Sequence, residues 1–133
     1  MQSEAGGNVE VLVRRPAFQN LSDRIVDFVV ETIKSASVFP KSFAGSHIAN
    51  QLVRSATSVG ANYEEGCTAQ SRPDFTHKMQ IALKEMRETH YWIRLATRLE
   101  LSDKPQWEMV AKEGDELLRI LAKSVATAKG IKK

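Results

Sequence analysis

Apolar residues recur along this chain at the three- and four-residue spacing of an α-helix, and no segment shows the alternation typical of a strand. The first helical pattern covers about residues 22–38. Ser22 is its expected N-cap, because a serine hydroxyl accepts a hydrogen bond from the first turn. Phe39-Pro40 is expected to close it.

The second predicted helix is rich in small residues. It begins near Ala44 or Ser46 and continues to Glu64, and Gly66 is expected to end it. Small side chains allow a neighbouring helix to approach closely, and this helix carries Ser55, Ala56, Ser58, Gly60 and Ala61. A glycine inside a helix costs about 1 kcal/mol relative to alanine. We therefore expect Gly60 to serve close packing.

Two further helices are predicted, each with a proline in its first turn. The third covers about residues 71–101 and the fourth about residues 102–130. Ser71 and Asp74 have the spacing of a capping pair. A proline fits the first turn because the N–H that it lacks would have no partner within the helix, and the two prolines are Pro73 and Pro105.

The third predicted helix carries apolar residues on two opposite sides. One side is expected to face the core and contains Phe75, Met79, Ala82, Leu83, Met86, Ile93 and Thr97. The other side contains Tyr91, Trp92, Leu95 and Leu99. One apolar face is enough for an intramolecular bundle, so we expect the second face to form an oligomer interface. The alternative is a central helix that touches two neighbours within one monomer.

A length of 133 residues suits one domain. Long helices joined by short loops predict an all-α fold, an antiparallel up-down-up-down four-helix bundle over residues 21–129. Residues 1–20 are expected to form a flexible N-terminal arm, and residues 130–133 a basic C-terminal tail.

Composition excludes few classes of function. The chain is 26% charged and 42% hydrophobic, with a net charge of +3, which is ordinary for a soluble domain. No run reaches the roughly 18 apolar residues that span a bilayer, and no signal peptide is apparent, so no membrane partner is expected. The single cysteine, Cys67, excludes an intrachain disulfide and suits a reducing compartment. We therefore expect a cytoplasmic location.

Two blocks of residues resemble one protein family. The first is the small-residue run of the second helix that ends in Asn62-Tyr63-Glu64-Glu65-Gly66. The second is the third-helix block with Phe75, Ile81-Ala82-Leu83-Lys84-Glu85 and Glu88-Thr89-His90-Tyr91-Trp92-Ile93-Arg94-Leu95. Together they are similar to the four-helix bundle proteins associated with 23S ribosomal RNA intervening sequences. The resemblance covers most of residues 20–125.

This resemblance implies an antiparallel four-helix bundle, often assembled as a ring-like homopentamer. The family also includes the accessory protein of diversity-generating retroelements, which binds nucleic acid and a reverse transcriptase. Most members have no assigned activity. The resemblance therefore implies a fold and a tendency to self-associate, without a reaction.

Polar residues on the second and third predicted helices are expected to converge as a structural network that ties the two helices together. They are Arg54, Asn62, Glu65, Glu85 and Glu88. We expect Arg54 to pair with a carboxylate, because buried charges persist only when paired, and Asn62 to cap or bridge backbone near the end of the second helix. The alternative to a structural network is that two of these carboxylates form a catalytic pair.

The sequence points to no catalytic residue, no cofactor and no metal site. A di-iron bundle needs Glu-x-x-His on two helices, and only Asp74-Phe75-Thr76-His77 resembles that motif. Cys67 has no evident histidine partner, and Gly6-Gly7 precedes no strand-helix unit that would hold a nucleotide. We therefore expect neither enzymatic activity nor a small-molecule substrate.

Two hypotheses about function remain. The first is a non-enzymatic homo-oligomeric scaffold or adaptor that binds itself and a protein partner. The second is a nucleic-acid-binding accessory protein that acts with RNA, DNA or a reverse transcriptase. Its expected phosphate contacts are Arg87, Arg94, Arg98, Lys123, Lys129, Lys132 and Lys133. For the basic C-terminal end we favour a solvated tail and cations at a helix C-terminus over a role in binding.

Overall fold

The computed structural model describes residues 20–130, and all regular structure in this range is helical. Its elements are α1 (Leu21–Ala36), α2 (Phe43–Cys67), α3 (Arg72–Arg98) and α4 (Pro105–Ala128). The all-α fold class is therefore confirmed. The predicted arm and the last residues of the predicted tail lie outside the described residues.

Helix α1 starts earlier than its sequence pattern indicates. The N-cap is Asn20, whose side chain accepts a hydrogen bond from the backbone N–H of Asp23 at 2.8 Å. The prediction of Ser22 as the cap is wrong, because asparagine caps a helix as well as serine does and lies two residues upstream. Ser22 instead donates a hydrogen bond to Glu64 at the far end of α2.

Helix α2 continues through the glycine that was expected to end it. Gly66 is a buried helical residue, and the helix ends at Cys67. A Cβ atom at Gly66 would lie 3.2 Å from Cβ of Lys78 and 3.4 Å from the sulfur of Met79. The stop prediction is wrong because this glycine admits α3 at close range instead of turning the chain.

The start of α3 is confirmed, and its end comes earlier than the pattern indicates. The hydroxyl of Ser71 accepts a hydrogen bond from the Asp74 N–H at 3.2 Å. Glu100 has a φ of 55°, the left-handed conformation that ends a helix, and the Leu101 N–H turns back to the Ala96 carbonyl. The remaining residues up to Lys104 connect α3 to α4.

Contacts between neighbouring helices run in opposite order along the two helices of each pair. On α2 and α3, Arg54 pairs with Glu88, whereas His47, earlier on α2, contacts Trp92, later on α3. This reversal is what antiparallel helices produce. Other pairs of contacts show the same reversal: Ser22–Glu64 and Ile25–Gly60, His90–Asp115 and Thr97–Trp107, and Arg24–Glu113 and Phe39–Trp107.

The core lies along the centre of these four helices. It contains the fully buried side chains of Phe28, Leu52, Met86 and Leu117, one from each helix. The α3 face that was predicted to be buried contributes Met79, Ala82, Leu83, Met86 and Ile93. Helices α2 and α3 have the most extensive contact, and they also share a buried hydrogen bond of 2.8 Å between the hydroxyls of Thr89 and Ser55.

Candidate functional site

An exposed aromatic surface crosses α2 and α3 near the start of α2. It consists of Phe43, His47, Trp92 and Tyr91, and we refer to these residues as the aromatic surface. The ring of Phe43 stacks on His47 with centroids 6.4 Å apart. His47 meets the edge of Trp92 at 5.8 Å, and Trp92 meets Tyr91 at 5.0 Å. Four rings from two helices thus form one continuous patch.

Helix geometry and the cap place these rings. Ser42 caps α2, so Phe43 is the first helical residue and His47 follows one turn later on the same side. Phe43 is 91% exposed. A phenyl ring left almost entirely in water, within a patch of other rings, is typical of a surface that binds another molecule.

The predicted oligomer interface on α3 is partly exposed and partly covered by the rest of the monomer. Tyr91 is 51% exposed and Leu99 is 49% exposed, as an interface residue in a free subunit would be. Trp92 and Leu95 are partly buried and pack against the core of their own chain. Part of this second face is therefore covered within the monomer. The exposed remainder continues onto α2.

Sequence reasoning missed the α2 half of this surface. Phe43 and His47 were not predicted as site residues, because Phe43 precedes the expected start of its helix. The signal that was available is their four-residue spacing, which sets two rings on one side once Ser42 is recognised as the cap.

Arg54 joins α2 to α3 beside the aromatic surface. Its Nη2 lies 2.5 Å from Glu88 Oε2, and its Nη1 lies 3.7 Å from Glu85 Oε1, which is buried and accepts no hydrogen bond within the described residues. The indole N–H of Trp92 donates to the same Glu88 oxygen at 3.3 Å. Glu88 therefore ties an arginine of α2 and an aromatic ring of α3 together.

This pairing shifts both charged groups. The hydrogen bond from Arg54 lowers the pKa of the Glu88 carboxyl below its ordinary value, and it outweighs the opposite effect of partial burial. In turn, the hydrogen bond to Glu88 raises the pKa of Arg54. The side chain of Arg54 is 52% exposed, so water screens this ion pair.

The structure does not gather all five predicted network residues. Asn62 Nδ2 donates to the Ser58 carbonyl on its own helix at 2.9 Å and makes no bridge to α3. Glu65 pairs with Lys78 at 2.6 Å, more than two turns along α2 from Arg54. These two residues lie apart from Arg54 because residues eight and eleven positions apart on a helix are separated by its rise.

The predicted nucleic-acid contacts also fall into separate groups. Arg87, Arg94 and Arg98 are exposed on one side of α3, and Arg94 and Arg98 border a small depression of about 150 Å³ with Tyr91 and Leu95. Lys123 and Lys129 lie at the end of α4. Lys132 and Lys133 lie outside the described residues. Arg94 and Arg98 thus border the aromatic surface, whereas Lys123 and Lys129 do not.

Other shifted groups have structural causes. Burial acts to lower the pKa of Arg24, but its bonds to Glu113 at 3.0 Å and Glu116 at 3.1 Å outweigh that effect and raise it. Burial raises the pKa of Tyr63 to about 12, and a hydrogen bond with Cys67, one turn away, adds to the shift. Burial also raises the pKa of Glu31, which is 4% exposed.

The histidines and acidic residues do not form a metal-binding cluster in residues 20–130. No group of three or more His, Cys, Asp or Glu side chains in this range has the proximity needed to hold an ion. His77 is exposed, and His90 lies 2.6 Å from Asp115 in a link between α3 and α4. None of the helices described is long and apolar enough to cross a membrane.

Comparison with known proteins assigns the fold to a family. The sequence profile described as 23S rRNA-intervening sequence protein matches residues 20–123, from the N-cap of α1 to the last two turns of α4. The chain belongs to this family. The match confirms the resemblance found in the small-residue run of α2 and the acidic-aromatic block of α3.

A solved structure supports the same assignment. The chain is 34% identical to a protein of unknown function from the S23 ribosomal protein family of Bacteroides thetaiotaomicron, known from a crystal structure. The two superpose with a TM-score of 0.71, over 80% of this chain and 98% of the other. No curated protein matched the sequence. Membership of the family thus accounts for the fold. The function of this relative is unknown, so it provides no activity with which the chain can be compared.

Proposed function

We propose that the chain is a non-enzymatic scaffold that works by self-association through the aromatic surface. The observation that carries this proposal is the exposure of Phe43, which is 91% exposed in the monomer although it is stacked into a four-ring patch. Burying a phenylalanine side chain contributes about 1.5–3 kcal/mol, so a second copy that covers this ring gains substantially. Tyr91 belongs to the same patch, and Leu99 leaves further apolar area exposed on α3.

The charged groups support a structural interpretation over a catalytic one. The shifted pKa values of Arg54 and Glu88 arise from one inter-helix ion pair, and that of Arg24 from another. Ion-pair networks of this kind shift pKa values in proteins without any catalytic role. The free thiol of Cys67, exposed at the end of α2, fits a scaffold that works in the reducing cytoplasm.

Mass photometry and sedimentation velocity at micromolar concentration test the proposal. We expect the wild-type protein to have a mass that is a multiple of the 14.9 kDa chain, with five copies as the number that the family resemblance implies. Phe43→Ala and Tyr91→Ala should shift the protein towards the monomer, because each removes apolar contact area. Val38→Ala is the matched control, since Val38 is 59% exposed but lies outside the aromatic surface.

A wild-type monomer at every concentration would contradict self-association itself. An oligomer that survives both ring substitutions would instead show that the copies meet at another surface. Circular dichroism should give the same helix content for all variants, because these side chains project from the bundle.

Nucleic-acid binding is the second candidate, and one observation favours it. Arg94 and Arg98 line one depression with the exposed ring of Tyr91 on α3, and cations beside an aromatic ring suit a phosphate backbone with stacked bases. We propose this surface as the alternative site. The test is a gel-shift series with single-stranded RNA across salt concentrations, comparing the wild type with Arg94→Ala/Arg98→Ala; retarded RNA whose binding falls with salt supports it. No shift at low salt would contradict it.

A further inference from the structure

A groove runs between α3 and α4 at the opposite end of the bundle from the aromatic surface. We refer to it as the α3–α4 groove, and it is lined by Arg72 and Phe75 of α3 and by Ile120, Lys123, Ser124, Thr127 and Ala128 of α4. Its volume of about 510 Å³ is within the range of roughly 300–1,000 Å³ found for ligand pockets. The bundle thus leaves a concave site at the end where α3 begins and α4 finishes.

The groove is elongated along the two helices. Its lining residues on α4 extend from Ile120 to Ala128, and at a rise of 1.5 Å per residue this spans about 12 Å, or two helical turns. Phe75 and Ile120 are only partly buried and supply its apolar surface. An apolar trough of two turns between antiparallel helices suits the apolar side of a short amphipathic helix.

The charges at the groove are of one sign. Its charged lining residues are Arg72 and Lys123, one on each wall, and both side chains are exposed. Within residues 20–130 neither cation forms an ion pair, whereas Arg24, Arg54 and Lys78 do. Unpaired cations on both sides of an apolar trough are complementary to a partner with carboxylates beside its apolar residues.

We propose that the α3–α4 groove is a docking site for a short acidic amphipathic helix of a partner protein. Two apolar side chains of the partner, one turn apart, lie on Phe75 and Ile120. Carboxylates that flank them pair with Arg72 and Lys123. This docking does not require self-association, because the aromatic surface lies at the other end of the bundle.

A peptide fits this groove better than a nucleic acid does. A phosphate backbone is bound by a row of exposed cations. The groove has only two cations, Arg72 and Lys123, and an apolar trough separates them. Apolar side chains would fill the trough, which phosphates and sugars leave exposed to water.

Fluorescence anisotropy with synthetic peptides tests the proposal on the full chain. The probe is a fluorescein-labelled helical peptide with two leucines four residues apart and glutamates on either side. The control peptide replaces each glutamate with lysine. We expect the wild type to bind the acidic peptide and not the basic one. Lys123→Glu should weaken binding by about tenfold, the effect of losing one charge-assisted contact, whereas Lys112→Glu, exposed on α4 outside the groove, should not.

A charge-swap variant separates a docking effect from damage to the fold. Arg72→Glu/Lys123→Glu should lose the acidic peptide and gain the basic one, which an unfolded protein would not do. Absence of binding to the acidic peptide, or equal binding by wild type and Lys123→Glu, would overturn the proposal. So would displacement of the probe by single-stranded RNA, or by a peptide of residues 1–19 at lower concentration than the unlabelled probe. These results would assign the groove to nucleic acid or to the chain's own N-terminal segment.

Discussion

Individual glycines in α2 differ in the space around them, although the sequence presents them alike. A Cβ atom at Gly60 would lie 3.6 Å from Ile25 and 4.0 Å from Val29, which is ordinary contact. A Cβ atom at Gly45 would lie 2.1 Å from the backbone oxygen of Pro40. The close packing that was expected at Gly60 is therefore found at Gly45, where the chain enters α2, and at Gly66.

Alanine substitutions at Gly60 and Gly45 should have opposite effects on the free energy of unfolding. Gly60→Ala should raise the free energy of unfolding by about 0.5–1 kcal/mol, because alanine is the better helix former and the site has room for it. Gly45→Ala should lower it by about 1–3 kcal/mol, because the backbone of Pro40 must move. Urea unfolding followed by circular dichroism measures both. A loss of stability in Gly60→Ala would show that α1 needs the glycine.

Helices α2 and α3 are joined by polar contacts at several heights. The buried hydroxyls of Ser55 and Thr89 bond at the centre, and the Arg54–Glu88 pair lies on the surface beside them. The carboxylate of Glu88 accepts hydrogen bonds from both Arg54 and the indole of Trp92. The orientation of the aromatic surface is therefore linked to the inter-helix ion pair.

The contribution of Glu88 should depend on pH in a defined direction. Its pKa in the folded protein is lowered from the ordinary 4.5, so the unfolded chain binds the proton more tightly. The stabilisation is then fully present above pH 4.5 and is lost as the pH falls through the folded pKa. The melting temperature of Glu88→Gln should lie below that of the wild type at pH 7, and the two should converge in acid.

Two variants complete this experiment. Asp103→Asn changes an exposed carboxyl in the α3–α4 connection and should give no such convergence. Arg54→Ala should lower the melting temperature at pH 7 and reduce the effect of Glu88→Gln. An unchanged melting temperature in Arg54→Ala would contradict a structural role for the pair.

Two candidate surfaces occupy opposite ends of the four-helix bundle. The aromatic surface lies near the start of α2 and the end of α3, and the α3–α4 groove lies near the start of α3 and the end of α4. A chain that self-associates at one end leaves the other end open. This separation suits a scaffold that holds several copies of a partner side by side.

Self-association should make thermal stability depend on protein concentration. Only folded chains associate with one another, so a higher protein concentration favours the folded state. The melting temperature should therefore rise as the protein concentration increases. Phe43→Ala should melt at a temperature that is independent of concentration. Differential scanning fluorimetry between 1 and 100 micromolar, as approximate limits, measures this. A melting temperature that is independent of concentration in the wild type would contradict an obligate oligomer.

The helices, their order and most of the buried face of α3 could be predicted from the sequence alone, because helical periodicity and capping residues are local signals. Thr97 is the exception on that face, since it is exposed. Ser71 marked the start of α3, and the small-residue run pointed to the family. Helix α4 starts at Pro105, a few residues after the predicted start near residue 102. Where local signals compete, as between Asn20 and Ser22, the sequence offered no means to choose.

Which side chains meet across helices depends on the tertiary structure. It joined Arg54 to Glu88 while leaving Asn62 and Glu65 elsewhere, and it brought His47 next to Trp92 from a distant part of the chain. These contacts depend on the register between helices, which packing sets through positions such as Gly66. Periodicity along one helix contains no information about that register. The fold could thus be predicted from the sequence, whereas the surfaces that could serve a function required the structure.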